Sequence, residues 1–472
     1  MLSKLRTEHV RSSKFQALDS EITLGGRLMG ARMRDTYYIE TYGCQMNEHD
    51  SEKMALLLEQ QGFTAASTPD DADVVIINTC SIREKAEHKV YSALGTLKPL
   101  KKRNPHMVTI VAGCVAQQEK EKLLKRASHL DGVLGTHHIC ELPIMLERIR
   151  RRERLVLTEF CDTAESLHMH APLKGKNAVC SYVTIMQGCS NFCTYCVVPF
   201  TRGPEKSRPP QDIESEVCGL VQRGVKEITL LGQNVNAYGK DLHEPESFSQ
   251  LLRRLDKIVG LERIRFTTSH PKDFTHDITD TIAELRSVCE HVHLPLQSGS
   301  NRVLAAMRRG YDMARYKDTI RELRYRVPGI AITADMIVGF PGETEEDFQQ
   351  TLTALEEIRF DQIFSFKYSA RPGTAARSLP DQVPEEVKST RLALVHSLQD
   401  RITAEYHRAV EGSETEVLVE GFKPEVHQGF GRTRTNKIVN VDSPARMEAG
   451  DLVRVRIVRG LKHSLRGEIA GG

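Results

Sequence analysis

Apolar positions along the chain follow two alternating rhythms, and the switch between them predicts most of the architecture. Compact apolar runs at 37–41, 74–78 and 109–112 read as strands. Each precedes a segment with helical spacing: near 47–61, where Met54, Leu57 and Leu58 share a face, then from Ile82, then from Ala116. Short strands alternating with amphipathic helices predict a parallel sheet with helices on its faces. A polar, irregular stretch at 160–179 reads as a linker, after which the rhythm resumes. Strands are predicted at 181–186, 227–231, 263–268, 291–296, 330–338 and 362–367, with helices near 212–224, 247–259, 277–290, 312–325 and 343–358. Six such repeats suit a partial TIM-type (β/α)6 barrel, whose chemistry sits at the carboxyl ends of its strands. A long amphipathic helix, about 385–410, closes this region. Beyond it, alternation at 415–419, 429–434, 437–441, 453–458 and 465–470, punctuated by Gly450-Asp451 and Arg459-Gly460, predicts a small β-barrel.

The expected fold class is therefore α/β. It comprises a parallel-sheet domain at 37–155, a partial barrel at 175–410 and a small β-barrel at 411–472. Residues 1–36 hold seven Lys or Arg against four acids with no apolar period. They read as a disordered extension. Glu8, Asp19 and Glu21 argue against a transit peptide, which is poor in acids.

Composition narrows the chemistry. The chain balances 65 basic against 63 acidic residues, so any contact with nucleic acid must come from a local patch. No apolar run approaches the ~20 residues of a membrane span. Eleven cysteines, sparsely placed and without a secretory signal, point to a reducing compartment and a cytoplasmic protein.

The cysteines carry the strongest signal. Cys189, Cys193 and Cys196 stand in a C-x3-C-x2-C spacing directly after the first barrel strand. Three thiolates on one short loop can hold a cubane cluster and leave one iron open, since such a cluster ordinarily takes four. A zinc knuckle is the alternative, but it wants a fourth Cys or His nearby and none follows Cys196 closely. Cys44, Cys80 and Cys114 each fall just past the carboxyl end of a predicted strand, spaced 36 and 34 residues apart. In a parallel sheet those ends share the edge where ligands bind. The expectation is a second site of three cysteines, again one ligand short; three buried thiols filling the sheet's rim is the alternative. Cys140, Cys161, Cys180, Cys218 and Cys289 show no pattern and read as incidental. So do the basic runs at 101–103 and 148–154, unless they lie beside the cluster edge. Nine Lys or Arg against three acids between Arg432 and Arg466 offer a footprint for phosphates.

The loop of Cys189, Cys193 and Cys196, with Tyr195 before its last cysteine, resembles the signature of radical S-adenosylmethionine (SAM) enzymes. The order of a three-cysteine α/β domain, such a barrel and a small basic β-barrel is similar to the methylthiotransferases, from about Tyr37 to the end. The wording of Tyr42-Gly43-Cys44-Gln45-Met46-Asn47, of 188–202 and of 431–437 resembles members that act on tRNA. The terminal barrel resembles a TRAM domain.

That resemblance implies two 4Fe-4S clusters, on Cys44, Cys80 and Cys114 and on Cys189, Cys193 and Cys196. It implies SAM contacts at Tyr195, Gly232, Gln233 and Asn234, and at Gln297 and Ser298. The implied activity is methylthiolation at C2 of N6-isopentenyladenosine beside the anticodon. The barrel cluster would cleave SAM to a radical that abstracts hydrogen, and the other cluster would hold the sulfur that a second SAM methylates. Implied partners are tRNA bearing isopentenyladenosine, a reductant of flavodoxin or ferredoxin type, and a sulfur donor, with no membrane. Threonylcarbamoyl-adenosine in tRNA or a ribosomal-protein aspartate are the alternative substrates within the family. An RNA-binding or electron-passing iron–sulfur protein without catalysis is the alternative from another class.

Overall fold

The computed structural model describes residues 35–81, 84–161, 165–169, 178–443 and 445–470. Apart from Asp35 and Thr36, the N-terminal extension lies outside them, as does much of the segment read as a linker.

The first domain is a parallel sheet of β1 (Thr36–Tyr42), β2 (Thr64–Ala65), β3 (Val74–Thr79), β4 (Val108–Gly113), β5 (Gly132–Leu134) and β6 (Leu155–Leu157), in the order β2-β1-β3-β4-β5-β6. Every residue of β3 and β4 is buried, because helices cover both faces of the sheet. Val74 and Ile76 pack with Met54 and Leu58 of the helix Gln45–Gln60 and with Met145 and Leu146 of Leu142–Arg150. Val75 and Ile77 point the other way, onto Val90, Leu94 and Leu97 of the helix Glu84–Arg103. The three-residue strands β5 and β6 went unpredicted because they are shorter than any periodicity window.

The second domain carries β7 (Cys180–Thr184), a small hairpin of β8 (Met186–Gln187) with β9 (Lys206–Ser207), then β10 (Glu227–Leu231), β11 (Arg263–Phe266), β12 (His291–His293), β13 (Ala331–Val338) and β14 (Gln362–Lys367). Strands β7, β10 and β11 form one parallel segment and β12, β13 and β14 another, linked by the bridge Ile264↔Val288. One apolar cluster fills this partial barrel and its helical jacket, from Val183 to Val395. The strand expected at 291–296 stops at His293; the chain stays buried and rejoins β13 only at the bridge Gln297↔Met336, where Gln297 has a φ of +74°.

The helix Glu385–Ala409 leads to β15 (Glu414–Lys423), β16 (Gln428–Thr433), β17 (Ile438–Asp442), β18 (Leu452–Gly460) and β19 (Leu465–Ile469). These close into a barrel in the order β15-β16-β17-β19-β18 around Val417, Val419, Val439, Val441, Val455 and Ile457. The turn after β16 seats against the amino ends of the larger barrel's strands. Arg265 donates to Glu227 at 2.8 Å and to the carbonyls of Thr433 and Arg434 at 2.7 and 2.8 Å. Arg263, fully buried, reaches the Arg432 carbonyl and Glu416. In return Arg434 pairs with Glu290, and Lys437 with Asp361.

Three of the nine basic residues counted as a phosphate footprint are thus engaged inside the protein, with Arg432 on Glu420 as the third. Arg265→Ala would leave Glu227 buried with only Arg263, at 3.8 Å, beside it. We expect it to lower the opening free energy of the terminal barrel's seat by about 3 kcal/mol, read as faster amide exchange across 428–442. Unchanged exchange there would show that Arg265 does not hold the seat.

Candidate active site

Sequence places Cys44, Cys80 and Cys114 at successive strand ends; the fold brings their thiols together. Cys44 precedes the helix Gln45–Gln60, Cys80 follows β3, and Cys114 opens the helix Cys114–Glu119. An amide pair ties the loops: Asn47 Nδ2 donates to Asn78 Oδ1 at 3.0 Å, and Asn78 Nδ2 to the Asn47 carbonyl at 2.7 Å. The Cys44 thiol donates to Asn47 Oδ1 at 3.3 Å. Gly43 has to be glycine, because a Cβ there would lie 2.6 Å from Cys80 Cβ. Cys80 hydrogen-bonds both other thiols. That bond is the first cause pulling the Cys44 and Cys114 thiols below their ordinary pKa, against burial, and the charge of Arg202 adds to it in both. Two members of this trio are thus predisposed to the thiolate form that metals require.

The second trio sits on the loop between β8 and the short helix Val198–Arg202. Gly188 starts the loop at φ +84°, where a Cβ would fall 1.9 Å from the Pro204 carbonyl oxygen. Thr194 pins the loop to the barrel, its amide donating to the Met307 carbonyl and its hydroxyl to that of Ala306. Cys193 faces two groups from distant elements: Arg309 Nη1 at 3.4 Å and His270 Nε2 at 4.0 Å. His270 accepts the Lys272 amide at Nδ1, which leaves its proton on Nε2, the atom turned to the sulfur. Burial, then the charge of Arg309, holds this imidazole neutral. Burial pushes the Cys189 and Cys196 thiols up, to about 11 and about 12. Loading this trio with metal must therefore displace protons.

One cavity of 240 Å³ is lined by Cys44 and Cys114 of the first trio, to which Cys80 is hydrogen-bonded, and by Cys189, Cys193 and Cys196 of the second. Tyr195, Gly232, Gln233 and Gln297 line it as well. Gln233 accepts the Gly188 amide, and the buried Oε1 of Gln297 has no hydrogen-bond partner among the described residues. Asn234 and Ser298 stand outside it. Asn234 donates to Asp273, and the Ser298 hydroxyl accepts the Ser300 amide and faces Thr351.

The donor chemistry fits iron–sulfur clusters: each trio supplies soft ligands only, and no disulfide competes for any of the eleven cysteines. Local sequence reading missed Arg202, His270 and Arg309. Arg202 and Asn47 lie within the quoted motifs, but nothing local marks His270 or Arg309.

Comparison with known proteins agrees with this geometry. Residues 36–135 match the uncharacterized protein family UPF0004, residues 183–355 the radical SAM superfamily and residues 408–470 the TRAM domain. The tRNA-2-methylthio-N(6)-dimethylallyladenosine synthase of Carboxydothermus hydrogenoformans is 48% identical over 92% of this chain and 98% of its own length. The protein of the same name from Syntrophus aciditrophicus is 47% identical over 92% of this chain and 94% of its own. The chain belongs to this synthase family. It is a radical SAM enzyme of the methylthiotransferase type, so a 4Fe-4S cluster and SAM are its cofactors. In fold this family member is similar to the radical SAM methyltransferase TsrM from Kitasatospora setae. The TM-score is 0.54 at 14% identity, covering 73% of this chain and 74% of that one. None of the described helices is long and apolar enough to cross a membrane.

Proposed function

We propose that the enzyme inserts a methylthio group at C2 of N6-isopentenyladenosine next to the anticodon of tRNA. What supports this reading above all is that two cysteine trios, each one thiolate short of a full cubane set, meet at one cavity lined by Cys44 and Cys114 of one and all three cysteines of the other. Cys189, Cys193 and Cys196 would hold the cluster that works with SAM, and Cys44, Cys80 and Cys114 a second cluster. Bound there, clusters and SAM supply the one-electron chemistry, the sulfur and the methyl group that no side chain can provide. The protein's own part is to hold, orient and shield. Tyr195, Gly232, Gln233 and Gln297 would cradle SAM. Arg309 and His270 would aim donors at the sulfur of Cys193.

A second cavity, of 580 Å³, adjoins the first and shares Ser81, Tyr195, Cys196, Gln297 and Asp335 with it. Its wall of Ile337, Phe366, Tyr368 and Leu392 suits an alkylated adenine drawn out of its stack. The Tyr368 and Ser365 hydroxyls, without hydrogen-bond partners among the described residues, are free to meet the base edge. Lys367, Arg371 and His396 line the same cavity, so the choice of an isopentenyl group over the carboxylate of threonylcarbamoyl-adenosine rests on the relatives named for dimethylallyladenosine. On the terminal barrel, Arg454, Arg456, Arg459, Lys462 and Arg466 are exposed on and between β18 and β19, Arg456, Lys462 and Arg466 in surface ion pairs with Glu414, Asp400 and Asp442, and they offer a face for tRNA phosphates. A cytoplasmic setting, a reductant of flavodoxin or ferredoxin type and a sulfur donor complete the reading.

Mass spectrometry of tRNA nucleosides tests it. Cells with the protein should contain the 2-methylthio derivative, and cells without it only the isopentenyl precursor. The same nucleoside profile in both would refute the proposal.

A further inference from the structure

Three consecutive residues after the barrel's cysteine loop touch both trios. The Gly203 carbonyl accepts the Cys189 amide at 3.1 Å. The Thr201 carbonyl accepts the Thr136 hydroxyl at 2.6 Å, and the Arg202 carbonyl faces His137 Nε2 at 3.1 Å, so the loop after β5 clamps this backbone. Between them the Arg202 side chain crosses into the first domain. Its Nη2 donates to Asp50 Oδ2 at 2.7 Å, with the two side chains 4% and 7% exposed. Arg202 lines the cavity beside Cys44 and Cys114, and its Nη1 has no hydrogen-bond partner among the described residues.

Stability does not account for this pair. Taking two charges out of water costs several kcal/mol per ion, and a hydrophobic pair of like volume often does as well or better. The guanidinium also has unequal partners: Asp50 takes Nη2, the Cys114 thiol is in hydrogen-bond contact with the side chain, and Nη1 is left as a donor in a cavity walled by thiols. A guanidinium keeps its charge at any pH the protein meets.

We infer that Arg202 is a positioning residue that fixes a positive charge and a spare N–H donor beside the group on Cys44, Cys80 and Cys114, with Asp50 setting where that charge sits. The inference rests on reading that trio as a cluster site. A cubane held by three thiolates is anionic, and reduction adds negative charge. A nearby cation in a low-dielectric interior therefore favours the reduced state, and cluster potentials respond to both charge and hydrogen bonds. The same three residues hold the Cys189 amide, so the charge keeps a fixed relation to the barrel trio. Buried Lys53 also faces Asp50, from the same helix, so Asp50 answers to two cations.

The test uses the full-length chain with Cys189, Cys193 and Cys196 replaced by alanine, so that redox titration followed by electron paramagnetic resonance reads the first-domain cluster alone. Against this parent, Arg202→Met should move the midpoint potential more negative and Asp50→Asn more positive. Arg202→Lys, which keeps the charge, should stay closer to the parent than Arg202→Met. Opposite signs are the signature of a charge effect; general loosening would move both variants one way. Unchanged potentials, or shifts of the same sign, would overturn the inference. Should Arg202→Met fail to take up iron, the sign for Asp50→Asn decides, and anything but a positive shift counts against. A parent without iron would instead refute the cluster reading and the inference with it.

Discussion

Cys193→Ala should abolish SAM cleavage: with SAM and dithionite, 5′-deoxyadenosine release falls to background, and iron falls by about four atoms per chain. Cys193 is the most enclosed of its trio, at 8% exposure, and it alone faces both Arg309 and His270. Without it Cys189 and Cys196 remain on a loop pinned at Thr194, and two thiolates on one loop cannot retain a cubane. The loop's anchors are backbone and threonine contacts that the substitution leaves in place, so circular dichroism should match the parent. Cleavage retained at the parent rate would remove Cys193 from the cluster.

Cys80→Ala should separate the two halves of the chemistry. Cys80 hydrogen-bonds both Cys44 and Cys114, so its loss removes one ligand and the contact that draws the other two toward thiolates. The expected protein loses about four irons, still releases 5′-deoxyadenosine from SAM, and makes no methylthio nucleoside. A small substitution of this kind costs on the order of 1 kcal/mol, too little to unfold the domain. Unchanged iron content would mean that the first domain holds no cluster.

These expectations contrast two sites built from the same ligand type. Among the barrel cysteines, burial raises Cys189 and Cys196. Around the first trio a hydrogen bond and then Arg202 oppose burial in Cys44 and Cys114. The same hydrogen bonds, with burial, push the Cys80 thiol well above its ordinary range, so loading with iron must displace a proton there as well as at Cys189 and Cys196.

The amino-acid sequence by itself determined the three-part α/β architecture, the strands that end at Cys44, Cys80 and Cys114, and the C-x3-C-x2-C loop. Each of these is local: apolar spacing sets a strand or helix, and a parallel sheet then sends its carboxyl ends to one edge. Only the tertiary structure decided what surrounds the cysteines. Asp50 and Arg202 are 152 residues apart, and Cys193 and Arg309 are 116 apart; no periodicity links them. The terminal barrel's signature teaches the same lesson in reverse. Read along the chain, Arg432, Arg434 and Lys437 are a basic patch, but packing turns them onto Glu420, Glu290 and Asp361. Local pattern fixes which backbone conformation a segment prefers. Which charges end up buried together depends on how whole domains pack, because the cost of an unpaired buried charge is felt only after the surfaces have met.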